Sequence, residues 1–219
     1  MPDWDKIYKE YFSNGKNWRD INDGVIPQCF INGINPTFKK LLKNTKFRKK
    51  YAFDIGCGYG KYLVYLASKD FNTDGIDASS TSVKMTKKIL GDKSATIKKA
   101  DMFNMKIIKN KYDLILSVST INHGYKKDVD KLIKEIYQSL LPRGKTFITI
   151  PDKKCIKNWQ TFKKHKIIDQ NTVTPLIGPE KGIIHSFYTK KEILEMFKNF
   201  SKIKMETDVS GQWVITATK

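Results

Sequence analysis

Cysteine, histidine and arginine are scarce in this chain, and long apolar runs are missing. There are three cysteines, Cys29, Cys57 and Cys155, odd in number, far apart and without a C-x-x-C pair. That excludes a disulfide framework or a cysteine zinc site and fits a reducing cytoplasm. Three histidines, His123, His165 and His185, are too few for a histidine-rich metal centre, so no metal site is expected. No apolar stretch approaches the roughly 20 residues that span a bilayer. The first residues, MPDWDKIYKEYF, are charged and amphipathic with no apolar leader, so neither secretion nor a membrane partner is expected.

Acidic residues are also outnumbered. The formal charge is +19 and the pI about 9.7. Of 41 basic residues only Arg19, Arg48 and Arg143 are arginines, leaving 38 lysines. Phosphate and base recognition draws on the planar guanidinium fork. A chain so rich in lysine, isoleucine and asparagine points to compositional drift in an AT-rich genome rather than to a selected nucleic-acid surface. Either way it should adhere to polyanions at low salt.

What is present is enough for one folded domain of 219 residues, with 40% hydrophobic and 12% aromatic residues. Trp4, Ile7, Tyr8, Tyr11 and Phe12 recur at helical spacing, which predicts an N-terminal amphipathic helix over 3–12. Pro36 then opens a second predicted helix over 36–49. From Tyr51 strands and helices alternate. Strands are predicted at 51–55, 72–77, 95–99, 112–118 and 145–150, and helices at 61–69, 80–90 and 128–140. Five such alternations signify an α/β domain with a parallel sheet. The divisions expected are a helical cap (1–50), a core (51–150), an insertion or lid (151–188) rich in Pro and Gly, and a closing helix (190–200) with two strands (189–219 in all).

The decisive segment is Asp54-Ile-Gly56-Cys-Gly58-Tyr-Gly60, between a strand and a helix. Glycines there permit positive φ and close approach to a ligand at the carboxyl end of the sheet. G-x-G-x-x-G fails in both registers, because Lys61 or Leu63 stands where the third glycine belongs. A P-loop fails too, since Gly60-Lys61 is followed by Tyr62. An acid at the strand end repels a pyrophosphate but suits a ligand with an ammonium group. S-adenosylmethionine carries an amino-acid end and a sulfonium, and no phosphate. Asp77 ends the second strand, where a carboxylate can accept from both ribose hydroxyls. Asp101 ends the third and can accept from an adenine amino group, with the Met102 thioether against the ring face.

These motifs together resemble the class I S-adenosylmethionine-dependent methyltransferases. DIGCGYG (54–60) is similar to that family's first motif, GIDAS (75–79) to its second-strand acid and ADMF (100–103) to its adenine motif. YDLILSVSTINH (112–123) resembles its fourth strand and LLPRGKTFITI (140–150) its proline-glycine turn and fifth strand, with Arg143 in place of a glycine. The resemblance implies a Rossmann-like seven-stranded, mostly parallel sheet with the last strand antiparallel and helices on both faces. Carried over, Asp54, Gly56, Gly58 and Gly60 would surround the methionine part of S-adenosylmethionine. Asp77 and Ala78 would hold the ribose, Asp101 and Met102 the adenine, and Ser117 and Val118 would lie beneath the methionine chain. In similar small-molecule enzymes an N-terminal helix closes over the cofactor; here Tyr8, Tyr11, Trp18 and Arg19 are available, and Tyr11 or Trp18 could lie against the sulfonium by a cation–π contact.

The acceptor is less legible. Ser117-Val-Ser-Thr120 lacks the proline pair of amino-group methyltransferases, and Cys155 in KKCIK lacks the setting of a nucleophile. His123, after the fourth strand, and His185, before the closing helix, remain as candidate bases, each with a pocket-lining role as the plainer reading. Trp159 and Phe162 make the insertion the expected substrate selector. The expectation is a methyl transfer to O, N or S of a small molecule. The alternatives are an RNA acceptor, because GCGYGKYL and TINH also resemble tRNA wobble-uridine methyltransferases, and a non-catalytic cofactor-binding scaffold.

Overall fold

The computed structural model describes residues 4–6, 33–91 and 95–219. Tyr8, Tyr11, Trp18, Arg19 and Cys29 lie outside the described residues.

The first described helix after residue 33, α1 (Pro36–Lys43), is capped by the Asn35 side chain, which accepts from the Thr37 amide (2.9 Å). It stops at Asn44, six residues short of the length expected from sequence. The reason is long-range. The Arg48, Lys49 and Tyr51 amides all donate to the Asp113 carboxylate (3.0, 3.1 and 3.2 Å), and a continuing helix could not offer them.

The alternating core follows as predicted: β1 (Tyr51–Ile55), α2 (Lys61–Ala67), β2 (Asn72–Asp77), α3 (Ser80–Leu90), β3 (Ala95–Lys99) and β4 (Tyr112–Val118). Ser79 caps α3 by accepting from the Ser82 amide. Next come α4 (Lys126–Ser139) and β5 (Leu140–Pro151). β5 begins five residues earlier than expected, because Leu140 already pairs with Tyr112. The ladder then shifts register across Pro142-Arg143-Gly144, where Arg143 has φ 68°. The turn foreseen there is therefore a bulge inside the strand.

The 151–188 segment is organised. It holds α5 (Cys155–Asn158), a short 3-10 turn (Gln160–Phe162) and a three-stranded antiparallel sheet of β6 (His165–Asp169), β7 (Thr172–Pro175) and β8 (His185–Ser186). Phe162, Val173, Phe187 and Cys155 form its own small core. Helix α6 (Lys190–Met196) carries a Thr189/Glu192 capping box and ends four residues before Phe200. β9 (Ser201–Thr207) and β10 (Gln212–Thr218) close the chain.

The main sheet has seven strands in the order β3-β2-β1-β4-β5-β10-β9. β1 to β5 are mutually parallel, and β10 runs antiparallel to both its neighbours. Period-two alternation divides the core between the faces. Phe53, Ile55, Ile115, Ile148 and Ile150 face α4 and α6. Ala52, Leu114, Leu116 and Phe147 face α1 and α2, where Phe38 meets Phe147 at 4.9 Å. β4 is buried on both faces, as its unbroken apolar run requires. The order reverses between β1 and β4, which opens a crevice beyond their carboxyl ends.

Candidate active site

The loop in that crevice is built on positive φ: Gly56 at 74°, Gly58 at 53° and Gly60 at 75°. The Gly56 and Cys57 amides both donate to the Ile76 carbonyl (2.9 Å each), which fastens the loop to β2. Two threonines brace its far side. Thr86 Oγ1 donates to the Gly58 carbonyl (2.8 Å), and Thr120 Oγ1 to the carbonyls of Val118 (3.0 Å) and Gly56 (3.3 Å). A Cβ on Gly56 would lie 2.0 Å from Thr120 Cγ2, and one on Gly60 would lie 2.6 Å from Thr86 Cγ2. Packing of the protein on itself therefore demands both glycines. Neither threonine carried a sequence signal, since each meets the loop only through the fold.

Asp77 stands at the end of β2, 6% exposed. The Gly58 amide donates to its Oδ2 (2.9 Å) and the Ser79 amide to its Oδ1 (2.8 Å). The carboxylate is thus oriented by backbone, and each oxygen keeps a lone pair for a further donor. Asp54, 2% exposed, lies beneath the loop. Burial, and then the charge of Asp77, pushes its carboxyl up to about 8. Asp77 is raised as well, chiefly by burial and against the pull of its two amides. Among the described residues no lysine or arginine forms an ion pair with either acid. Two buried carboxyls this close favour a retained proton or a cationic partner.

Asp101 has a local duty: the Phe103 amide (2.9 Å) and Asn104 Nδ2 (2.6 Å) donate to it, which shapes the turn after β3. Met102 beside it is half-buried against the core. Ala78 and Val118 are half-buried at the ends of β2 and β4. Ser117 is fully buried and donates to the Ile55 carbonyl (3.0 Å), joining β4 to β1. Cys57 is buried in the loop, and burial raises its thiol well above the ordinary range. Cys155 is buried against the Gly211 carbonyl (3.2 Å) and pushed up to about 11. Neither is a thiolate at neutral pH.

His123 and His185 come together although 62 residues separate them. β8 docks on the loop after β4: the Ser186 amide donates to the Asn122 carbonyl (2.9 Å) and Ser186 Oγ to the Gly124 carbonyl (2.7 Å). Their rings meet edge to face, centroids 4.7 Å apart. Trp4 covers His123 at 4.9 Å and Phe162 packs on His185 at 4.9 Å. Burial pushes His123 down to about 4; burial, then the neighbouring His123, holds His185 lower still. Asn122 Oδ1, His123 Nδ1 and both His185 ring nitrogens lack a hydrogen-bond partner among the described residues. Glu180 Oε2 stands 3.4 Å from His185 Nε2 without hydrogen-bonding alignment. Such a concentration of unpaired buried polar atoms marks a functional place.

Asp5, which had no sequence signal, joins the N-terminal segment to this crevice. Its Oδ1 accepts from Ser79 Oγ (2.5 Å) and the Thr81 amide (2.8 Å), at the positive end of α3. Residues 4–6 thus touch the Asp77 side through Asp5 and the histidine side through Trp4.

The fold is Rossmann-like, and its crevice sets a glycine loop against two buried acids, Asp54 and Asp77. Residues 53–148 match the family model described as a methyltransferase domain. The chain is 29% identical over 140 residues to a demethylmenaquinone methyltransferase of Lactobacillus johnsonii, an alignment covering 58% of this chain and 56% of that enzyme. A Pyrococcus horikoshii protein shares the fold at a TM-score of 0.72 and 18% identity, covering 95% of this chain and 98% of that one. An S-adenosylmethionine-dependent methyltransferase of Methanosarcina mazei does so at 0.66 and 21%, covering 85% and 98%. Residues 53–148 are thus similar to a methyltransferase domain, and the chain shares the fold of solved S-adenosylmethionine-dependent methyltransferases.

Proposed function

We propose that the chain is an S-adenosylmethionine-dependent methyltransferase and transfers the cofactor's methyl group to an oxygen, nitrogen or sulfur of a small-molecule acceptor, bound where Trp4, His123, His185 and Phe162 converge. One observation carries this reading: aromatic rings converge on two buried histidines whose ring nitrogens include three without a hydrogen-bond partner among the described residues. The Lactobacillus johnsonii relative is named for a small-molecule acceptor, demethylmenaquinone, which supports a small molecule over RNA.

The bound cofactor supplies a methyl group already activated by its sulfonium. The chain's contribution is binding, alignment and dryness. Asp77 accepts the ribose hydroxyls, with its oxygens fixed by Gly58 and Ser79. Asp54 beneath the glycine loop balances the positive charge. Gly56, Gly58 and Gly60 give the backbone its approach, Ala78, Asp101 and Met102 border the adenine, and Ser117 and Val118 form the floor. Residues 4–6 add cover through Trp4 and Asp5. Alignment of this kind supplies up to about 7–11 kcal/mol in favourable cases. His123 stays neutral and can take the proton of a hydroxyl, thiol or ammonium acceptor. His185 and Glu180 border the same place.

The test is calorimetry with S-adenosylhomocysteine on the wild type and Asp77→Ala, followed by labelled-methyl transfer to panels of amines, thiols, phenols and bulk tRNA. The expected result is micromolar binding weakened at least tenfold in the variant, with label entering a small molecule. Equal binding by both proteins removes the ribose assignment. Label entering only tRNA removes the small-molecule assignment.

A further inference from the structure

On the α1 face of the sheet, away from the methyl-transfer site, lies a groove of about 410 Å³. Its walls are α1 with the residues that follow it, the start of β5, and strands β9 and β10. Four ammonium groups line it: Lys40 from α1, Lys145 from β5, and Lys202 and Lys204 from β9. Strand register explains the crowding. Lys145 lies opposite Thr218 of β10 and Lys204 opposite Thr216, so their side chains share one face. The β9–β10 ladder slips between Thr216 and Thr218, and Lys202 takes φ 51° there.

Lysines on an edge strand have an ordinary use, which is to prevent pairing with another sheet. That accounts for Lys202 and Lys204 on β9. It does not account for Lys145, which is on the interior strand β5 and half-buried. Its Nζ donates to Thr218 Oγ1 (2.7 Å). Burial, and then Lys202 and Lys204, lower its affinity for a proton. Among the described residues no carboxylate is within ion-pair range of Lys145, Lys202 or Lys204. The one acid in the groove, Glu206, accepts a bond from Thr37 Oγ1 instead. Like charges gathered on neighbouring strands cost stability unless something neutralises them. The Thr216 and Thr218 hydroxyls beside them add donors for the same purpose.

We propose that this groove binds a phosphate oxyanion, held by Lys145, Lys202 and Lys204. Lys145 is six residues, about 20 Å of strand, from the carboxyl end of β5. The site is therefore separate from the methyl-transfer centre and serves for docking. Two sources offer this chemistry, a small phosphorylated compound and the backbone of an RNA, and the experiment separates them.

Binding of pyrophosphate is measured by calorimetry, and binding of bulk tRNA by anisotropy over a series of salt concentrations. Wild type is compared with a groove variant, Lys145→Gln with Lys202→Gln and Lys204→Gln. A charge-matched control carries Lys127→Gln, Lys131→Gln and Lys134→Gln on α4, across the sheet. Thermal unfolding and S-adenosylhomocysteine binding establish that both variants are folded. The expected result is that pyrophosphate affinity falls at least tenfold in the groove variant and less than twofold in the control. If the source is RNA, the slope of log K against log salt also becomes shallower by about 2–3 in the groove variant alone. If it is a small phosphate compound, the tRNA slopes of the two variants coincide while the pyrophosphate difference remains. Equal losses of pyrophosphate binding in both variants, or no pyrophosphate binding by the wild type, overturn the proposal. Those results show the charge to be diffuse.

Discussion

The imidazoles of His185 and His123 meet at right angles, ring centroid to ring centroid 4.7 Å. Each ring is kept neutral by burial, and His123 makes His185 harder still to charge. This sets a pH dependence whose sign is fixed. An unfolded histidine protonates near 6.5, and folded His123 only near 4. Between those values the unfolded chain holds the extra proton. The contribution to stability is complete above about 6.5 and is lost as the pH falls toward 4, at up to about 1.4 kcal/mol per unit per group. Urea unfolding at pH 7 and pH 5 should show a smaller loss in His123→Asn than in the wild type. Equal losses would mean that His123 titrates normally in the fold.

Asp54 works in the opposite direction. Its folded carboxyl holds a proton up to about 8, against the ordinary 3.8. Folding thus takes up a proton between pH 3.8 and 8, and this group's contribution weakens as the pH rises through that window. A cationic ligand reverses the balance by favouring the ionised acid. S-adenosylmethionine binding near pH 7 should therefore release a proton, seen as a binding enthalpy that changes with the ionisation enthalpy of the buffer. Asp54→Asn should abolish that dependence. A buffer-independent enthalpy in the wild type would place Asp54 among the ionised acids before binding.

The glycine loop offers a test of packing rather than charge. Gly56→Ala meets two penalties. Its φ of 74° costs an L-residue roughly 1–2 kcal/mol, and a methyl 2.0 Å from Thr120 Cγ2 adds about 1–3 kcal/mol of overpacking. Gly182→Ala has a similar φ of 83° but no atom within 4 Å, so it pays the backbone cost alone. Denaturant unfolding should rank Gly56→Ala as the more damaging. In the background Thr120→Ser, which removes the obstructing methyl, the gap between the two should narrow.

The alternation of strand and helix was legible because each element carries its own period and its own breakers. β1, β2, β3 and β4 begin and end where the residues said. The acids Asp54 and Asp77 were legible because they stand at strand ends beside glycines. What could not be read depends on contacts between distant segments. Thr86 and Thr120 brace the loop, Asp5 caps α3 from 74 residues away, and Glu180 approaches His185 only because β8 docks beside the β4 loop. The insertion's own sheet was hidden for the same reason, since its short strands alternate weakly and are held by Phe162, Val173 and Phe187.

Asp113 is the plainest case of a residue whose work is invisible in its surroundings. It interrupts the apolar run YDLILSV, where a charge would ordinarily argue against a buried strand, and it is 5% exposed. It is tolerated because three backbone amides, from Arg48, Lys49 and Tyr51, converge on its two oxygens. Those bonds end the reach of α1 and set the chain on course into β1. Asp113→Ala removes the acceptor and leaves the amides competing for water at a half-covered edge. The expected loss is about 2–4 kcal/mol, with hydrogen bonds to a charged group worth roughly 1.5–3 kcal/mol each before water compensates. Asp113→Asn keeps one acceptor oxygen and should lose about half as much. Hydrogen exchange gives the local readout: the Lys49 and Tyr51 amides should lose protection in Asp113→Ala before the centre of β4 does. Unchanged protection at those two amides would mean that the β1 entry is held by the sheet alone.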